Sequence, residues 1–256
     1  STGQSVSLGS RYECLWGAWS PNAVPEYVGG CGYRADWANH FSYPWSGTTH
    51  TLTLIYTPDP VACQQVEALI TCMAYAEPWF DMRLELDNRW GYALDYIPFP
   101  SDLVFLEADI KVAVLPGLPG IALEPAFFSQ NRSYLVRYPG SLGTFADYVF
   151  LGTTKGRIAV YSLYGDDPVR PVVLGFVHDE EYLPDSTFCH HTYAASVNDG
   201  HAWSSPWIRL RVSQTARDTM LAFREDNRLN EFPTLQEKLG QEYDRVASSP
   251  LYMAWA

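Results

Sequence analysis

The sequence predicts a mainly β fold: a large antiparallel β-sandwich over residues 1–212, then a short helical linker and C-terminal lead-in over 213–256. Three observations predict it. Apolar and polar side chains alternate with period two up to about residue 212. Clusters of Pro, Gly, Asn and Asp interrupt the alternation at short intervals. Near residue 213 the period changes to one that suits helices. A strand turns successive side chains to opposite faces, so alternation reads as one buried face and one wet face.

Taken in order, Thr51 to Thr57 alternates through Leu52, Leu54 and Tyr56. Phe80 to Asn88 is the cleanest strand, with Phe80, Met82, Leu84 and Leu86 on one face and Asp81, Arg83, Glu85 and Asp87 on the solvent face. Ile110, Val112 and Val114 share the apolar face of the next, and Ile158 and Val160 that of another. Pro171 to Val177 has no polar face and reads as buried on both sides. Ile208, Leu210 and Val212 lie against Arg209 and Arg211 in the last strand. The turn clusters are Ser20-Pro21-Asn22, Pro58-Asp59-Pro60, Pro116 to Gly120, Gly165 to Pro168 and Asn198-Asp199-Gly200. The last reads as a hairpin, because Asp-Gly tolerates the positive φ of a tight turn. Roughly a dozen strands, with no βαβ rhythm and no internal repeat, imply a sandwich.

Beyond residue 213, Thr215 with Asp218 resembles a capping box ahead of Ala216 to Asn227, and Thr234 with Glu237 offers a second. Behind it Leu235, Leu239, Tyr243 and Val246 fall at helical spacing, interrupted by Gly240. The apolar run after Pro250 reads as the lead-in to another domain.

Composition narrows the function. With 29 acidic against 17 basic residues the chain carries −12 at pH 7, and its Lys and Arg are scattered, which argues against nucleic acid. No apolar stretch is long enough to cross a membrane as a helix. Five cysteines without a C-x-x-C pair leave at least one thiol unpaired within the chain and fit no zinc ribbon. With the sequon at Asn131-Arg132-Ser133 they favour an extracellular or periplasmic location. Ser1 to Ser5 does not read as a signal peptide.

Catalytic and metal motifs are missing. His178 to Glu181 and His190-His191 are the densest titratable groups, but neighbours on a strand point to opposite faces and cannot share one ion. No metal site and no cofactor is expected; the acidic stretch reads as a solvated rim. Gly-x-Ser-x-Gly and phosphate-loop spacings are absent, Gly140 to Gly143 and Gly152 to Arg157 included. Glu85 and Asp87 share a strand face about 7 Å apart, a spacing that many exposed strands show as well as hydrolytic carboxylate pairs.

Aromatic residues make up 15% of the chain, and Trp16, Trp19, Tyr27, Tyr33, Trp37, Tyr43 and Trp45 crowd the N-terminal segment beside Arg34, Asp36, Asn39 and His40. A pyranose offers an apolar C–H face and a rim of hydroxyls, so Trp19, Tyr33 and Trp37 are candidate stacking rings and Arg34 and Asp36 candidate hydroxyl partners. The alternative is that these rings pin the Gly29 to Gly32 loop to the sandwich. Trp203 and Trp207, flanking Pro206, read as structural.

Several strings carry a resemblance: Trp16 to Pro21 (WGAWSP), Gly32 to Trp37 (GYRADW), Phe99 to Phe105 (FPSDLVF), Leu115 to Gly120 (LPGLPG), Asp199 to Pro206 (DGHAWSSP), Phe223 to Asn227 (FREDN) and Leu235 to Gly240 (LQEKLG). Together they resemble the N-terminal β-sandwich, of supersandwich type, in bacterial glycoside hydrolases that carry a TIM barrel downstream. The resemblance implies an ancillary region that engages oligosaccharide or polysaccharide and packs against a catalytic barrel not present in these residues. It carries no catalytic residue onto this chain. Two other readings stand beside it: a stand-alone sandwich-fold polysaccharide lyase or hydrolase using His190 or His191 with Tyr193, and a self-assembling, jelly-roll-like structural subunit.

Overall fold

The computed structural model describes residues 66–244, apart from 102, 118–119, 131, 141–143, 166–168 and 179–184, together with the backbone of the strands within 7–56. In chain order these strands are β1 (Ser7–Leu8), β2 (Gly17–Trp19), β3 (Tyr27–Gly29), β4 (Asn39–Ser42), β5 (Trp45–Ser46), β6 (Thr49–Tyr56), β7 (Val66–Ala74), β8 (Trp79–Asn88), β9 (Ile97–Pro98) and β10 (Leu103–Leu106). They continue as β11 (Ile110–Leu115), β12 (Ile121–Leu123), β13 (Tyr134–Tyr138), β14 (Tyr148–Thr153), β15 (Arg157–Leu163), β16 (Val172–His178), β17 (Ser186–Tyr193), β18 (His201–Ser204) and β19 (Trp207–Val212). The α-helices are α1 (Pro125–Phe128), α2 (Ala216–Asp226) and α3 (Leu235–Leu239).

The protein is mainly β and every described strand pairing is antiparallel. One sheet runs β1-β10-β17-β16-β13, with β9 beside β17. The larger runs β12-β11-β14-β15-β19-β8-β7-β6-β4, with β18 beside β8 and β5 beside β6. Strands β2 and β3 form a separate ribbon. The core lies between the two large sheets. Val66, Ala68, Ile70, Met82, Leu84 and Leu86 meet Leu103, Val172, Leu174, Phe176 and Cys189 in one apolar cluster. Each fully buried aliphatic or aromatic side chain there contributes about 1.5–3 kcal/mol of burial.

Phe80 to Asn88 forms the strand its alternation predicts, with Met82, Leu84 and Leu86 sealed and Glu85 exposed. Three neighbouring expectations are corrected. In β11 the register against β14 shifts between Ile110 and Val112. That bulge turns the strand over, so Ile110, Ala113 and Leu115 are buried while Val112 and Val114 are only half-buried. Strand β16 is buried on one face: Val172, Leu174 and Phe176 are sealed, whereas Val173 and Val177 are half-exposed. The strands that lose both faces are β14 and β15, because α2 lies over their outer side and packs Ala222 and Phe223 against Tyr148, Ala159 and Tyr161. Asn198 to Gly200 does make a turn, closed by His201 N–H to the Asn198 carbonyl at 3.1 Å with Gly200 at φ +76°. It is not a hairpin: it passes the chain from β17 in one sheet to β18 in the other.

The helices begin where the period changes. Thr215 caps α2 by accepting the Asp218 N–H at 3.1 Å. Thr234 and Glu237 form a complete capping box on α3, at 3.2 and 2.6 Å. Gly240, at φ +53°, ends that helix after Leu239.

Candidate functional site

The most concentrated chemistry in the described residues lies between the sheets. Asp147 sits just ahead of β14, Ser162 is on β15 and Tyr164 just beyond it; His191 and Tyr193 come from β17 in the opposite sheet. None of the five is more than 8% exposed. Asp147 Oδ2 accepts from the hydroxyls of Ser162 and, at 2.7 Å, of Tyr164. Asp147 Oδ1 accepts from His191 Nε2 at 3.1 Å, and His191 Nδ1 donates to the Phe99 carbonyl at 2.8 Å. Since the Ser162 hydroxyl donates to Asp147, the Tyr193 hydroxyl donates to Ser162 Oγ, 3.1 Å away.

Burial by itself would raise the Asp147 carboxyl, but the His191 charge and the bonds from His191, Ser162 and Tyr164 outweigh it and hold the group below its usual range. With Asp147 ionised, both His191 ring nitrogens face acceptors, the Asp147 carboxylate on one side and the Phe99 carbonyl on the other. Burial, then Asp147, pushes the phenols of Tyr164 and Tyr193 up, and they stay protonated donors.

Serine, histidine and aspartate are therefore together, but in the wrong order for acyl transfer. A nucleophilic triad puts the imidazole between hydroxyl and carboxylate. Here the carboxylate is central, and both Ser162 and His191 spend their bonds on it. The cluster joins two sheets and is almost wholly closed to solvent.

The two adjacent histidines face opposite ways, as strand geometry requires. His191 and Tyr193 share the inner face with ring centroids 5.1 Å apart, while His190 lies on the outer face and bonds Thr192 Oγ1 at 2.8 Å. Burial first, and then His191, brings His190 down to about 4. His178 faces Glu107 Oε1 at 2.7 Å. Among the described residues no group of three or more His, Cys, Asp or Glu is placed to hold a metal ion. Glu85 stands 3.7 Å from Arg83, and Asp87 receives Arg89 at 2.6 Å, so each carboxylate of that candidate pair has its own cation on an outer strand face.

Asp81 departs from its expected solvent position. It is buried and takes Arg209 in two bonds of 2.8 Å, while Arg209 also reaches Asp226 at 2.9 Å. Tyr161 donates to Asp226 at 2.6 Å, and Trp79 lies under both Arg209 and Arg211, 4.9 and 4.8 Å from their centres. This second cluster fastens the end of α2 to the outer sheet. Trp203 packs on Tyr193 at 5.5 Å, and Trp207 lies 6.0 Å under Arg83.

Trp19 ends β2, opposite Tyr27. Its side chain, like Tyr33, Arg34, Asp36 and Trp37 entirely, lies outside the described residues. So do Asn131 of the sequon and Cys14, Cys31 and Cys63; Cys72 and Cys189 are free thiols. Sequence reasoning passed over Asp147, Ser162 and Tyr164. Their signal was one polar residue directly before the apolar run Tyr148 to Leu151, Asp147, and one inside the run Ile158 to Leu163, Ser162, with Tyr164 directly after it.

No family model matches the sequence, and no curated protein matches it. Two solved structures of the α-N-acetylgalactosaminidase NagBb from Bifidobacterium bifidum are similar in fold. The complex with GalNAc matches at TM-score 0.58 and 14% identity, and the complex with Gal-NHAc-DNJ at 0.59 and 13%. Each match covers 88% of this chain and 35% of the other, so the chain spans about a third of its neighbour's length. At this identity the likeness is one of fold, shared with part of a glycoside hydrolase.

Proposed function

We propose that this chain is an ancillary, carbohydrate-engaging β-sandwich region of an extracellular or periplasmic glycoside hydrolase, and that it packs against a catalytic domain. One observation carries the reading: the fold likeness takes in 88% of this chain but only 35% of an α-N-acetylgalactosaminidase. The arrangement of the titratable groups supports it, because the Asp147 set is closed and Glu85 and Asp87 are each ion-paired. The sealing of His191 and Tyr193 counts against the stand-alone lyase or hydrolase.

The proposed contacts are Trp19, Tyr33 and Trp37 for stacking on pyranose faces, with Arg34 and Asp36 for hydroxyls. Calorimetric titration of the chain with neutral oligosaccharides, N-acetylgalactosamine-terminated ones first, tests this. Trp19→Ala, Tyr33→Ala and Trp37→Ala are expected to weaken binding about tenfold each and leave the melting temperature nearly unchanged. A melting temperature lowered by many degrees assigns the rings to the core instead. No heat with any saccharide overturns the carbohydrate reading.

A further inference from the structure

The loop after β8 carries two tyrosines that the fold leaves in solvent. Tyr92 is 42% exposed and Tyr96 46%, and neither phenol hydroxyl has a hydrogen-bond partner among the described residues. The backbone beneath them is tightly held. Asn88, fully buried, donates through Nδ2 to the carbonyls of Tyr92 and Val197, both at 2.8 Å, and its Oδ1 accepts the Trp90 N–H at 3.1 Å. Gly91, at φ +83°, donates its N–H to Asp199 at 2.9 Å. Leu94 and Val197 exchange backbone bonds of 3.0 and 2.8 Å, and Ser196 donates to Asp95 at 3.1 Å. The loop is thus zipped along residues 196–199. Trp90 is buried and meets the Tyr92 ring edge-on at 5.6 Å.

Core packing does not account for the two outer rings, because Trp90, Leu94 and Ile97 already fill the interior side of the segment. A ring fixed in place before binding loses little freedom when a ligand stacks on it. The same zipped segments carry the carboxylates Asp95 and Asp199, which accept hydroxyl protons and repel anions. We infer that Tyr92 and Tyr96 form a saccharide-stacking platform and that its ligand is neutral. This rests on the carbohydrate reading above and adds two rings and a charge preference to it.

The test uses the full chain with galactotetraose and a sulfated galactan oligosaccharide, followed by calorimetry and by saturation transfer from tyrosine ring protons. Tyr92→Ala and Tyr96→Ala are each expected to lower tetrasaccharide affinity about fivefold, and Tyr92→Phe and Tyr96→Phe about twofold, with transfer lost in the double alanine variant. The phenylalanine variants keep Trp90 packed and read out the hydroxyls even if an alanine variant folds poorly. Suppose the double alanine variant binds as the unaltered chain does while Trp19→Ala does not. The platform is then not a saccharide site, and the carbohydrate reading survives. Tighter binding of the sulfated probe overturns the charge preference. If the unaltered chain binds neither these probes nor the wider panel, both inferences fall.

Discussion

Asp147 and His191 meet at 3.1 Å across the sandwich, one from just ahead of β14 and the other from β17, and both are buried. Unpaired charges at such depth are strongly disfavoured. These two persist because Ser162, Tyr164 and the Phe99 carbonyl complete their hydrogen bonds. Geometry that demanding fixes the offset of one sheet against the other, which apolar packing alone specifies loosely.

Breaking this pair takes from the buried Asp147 carboxylate its imidazole donor, or from His191 its carboxylate acceptor. Asp147→Asn and His191→Phe are each expected to lower unfolding stability by about 3–5 kcal/mol, measured by urea denaturation at pH 7. The pH dependence has a definite sign. The folded carboxyl lies below its unfolded value of about 4, so its contribution is complete above that pH and is lost as pH falls through the folded value. The gap between the unaltered chain and Asp147→Asn should therefore close as pH falls below about 4. A gap that persists undiminished at pH 2 contradicts an ionised Asp147.

His190 should act at higher pH. Its folded value of about 4 lies below the ordinary histidine value of 6.5, so between these limits the unfolded chain binds more protons. Stability therefore falls as pH drops from 6.5 toward 4, by at most about 3 kcal/mol. His190→Gln keeps a partner for Thr192 and cannot titrate. Its urea midpoint should stay flatter than that of the unaltered chain over that window; an identical slope refutes the assignment.

Much of this architecture was legible because side-chain period is a local property. Phe80 to Asn88 and Ile208 to Val212 each declare a strand without help from the rest of the chain. Thr234 and Glu237 likewise announce a helix start. What stayed hidden depends on partners distant in sequence. The bulge at Val112 needs β14, the turn at Asn198 to Gly200 needs knowledge of which sheet each flanking strand joins, and burial of Asp81 needs Arg209. The Asp147 set draws on residues 99 to 193, and nothing near Asp147 names His191 as its partner.

Asn227 tests whether α2 is a passive tether or part of the sandwich. It is buried just past the helix; its Nδ2 donates to the carbonyls of Ser162 at 2.9 Å and Phe223 at 3.1 Å, and its Oδ1 accepts the Tyr164 N–H at 2.7 Å. Asn227→Ala takes the partner from the buried Tyr164 N–H and the side-chain donor from the Ser162 carbonyl at the β15 end, while the Phe223 carbonyl keeps the backbone N–H of residue 227. The expected loss is about 2–4 kcal/mol in urea denaturation, with one cooperative transition. An early separate transition of the helix would show that α2 folds apart from the sheets.

Gly175 is the last and most local case. It lies in β16 at φ +149°, opposite Leu135 of β13 and His190 of β17. A Cβ built there would stand 2.0 Å from the Tyr134 carbonyl oxygen and 3.0 Å from the Leu135 Cα, both backbone atoms that no side-chain rotation can move. Gly175→Ala therefore forces β13 off its neighbour or breaks the β16 backbone, and should destabilise the chain by at least about 2 kcal/mol. Gly200→Ala is the control, because nothing stands within 4 Å of its Cβ position and only its φ of +76° resists. It should lose about 1 kcal/mol. Equal losses at the two positions would mean that backbone conformation, and not the approach of β13, demands the glycine in β16.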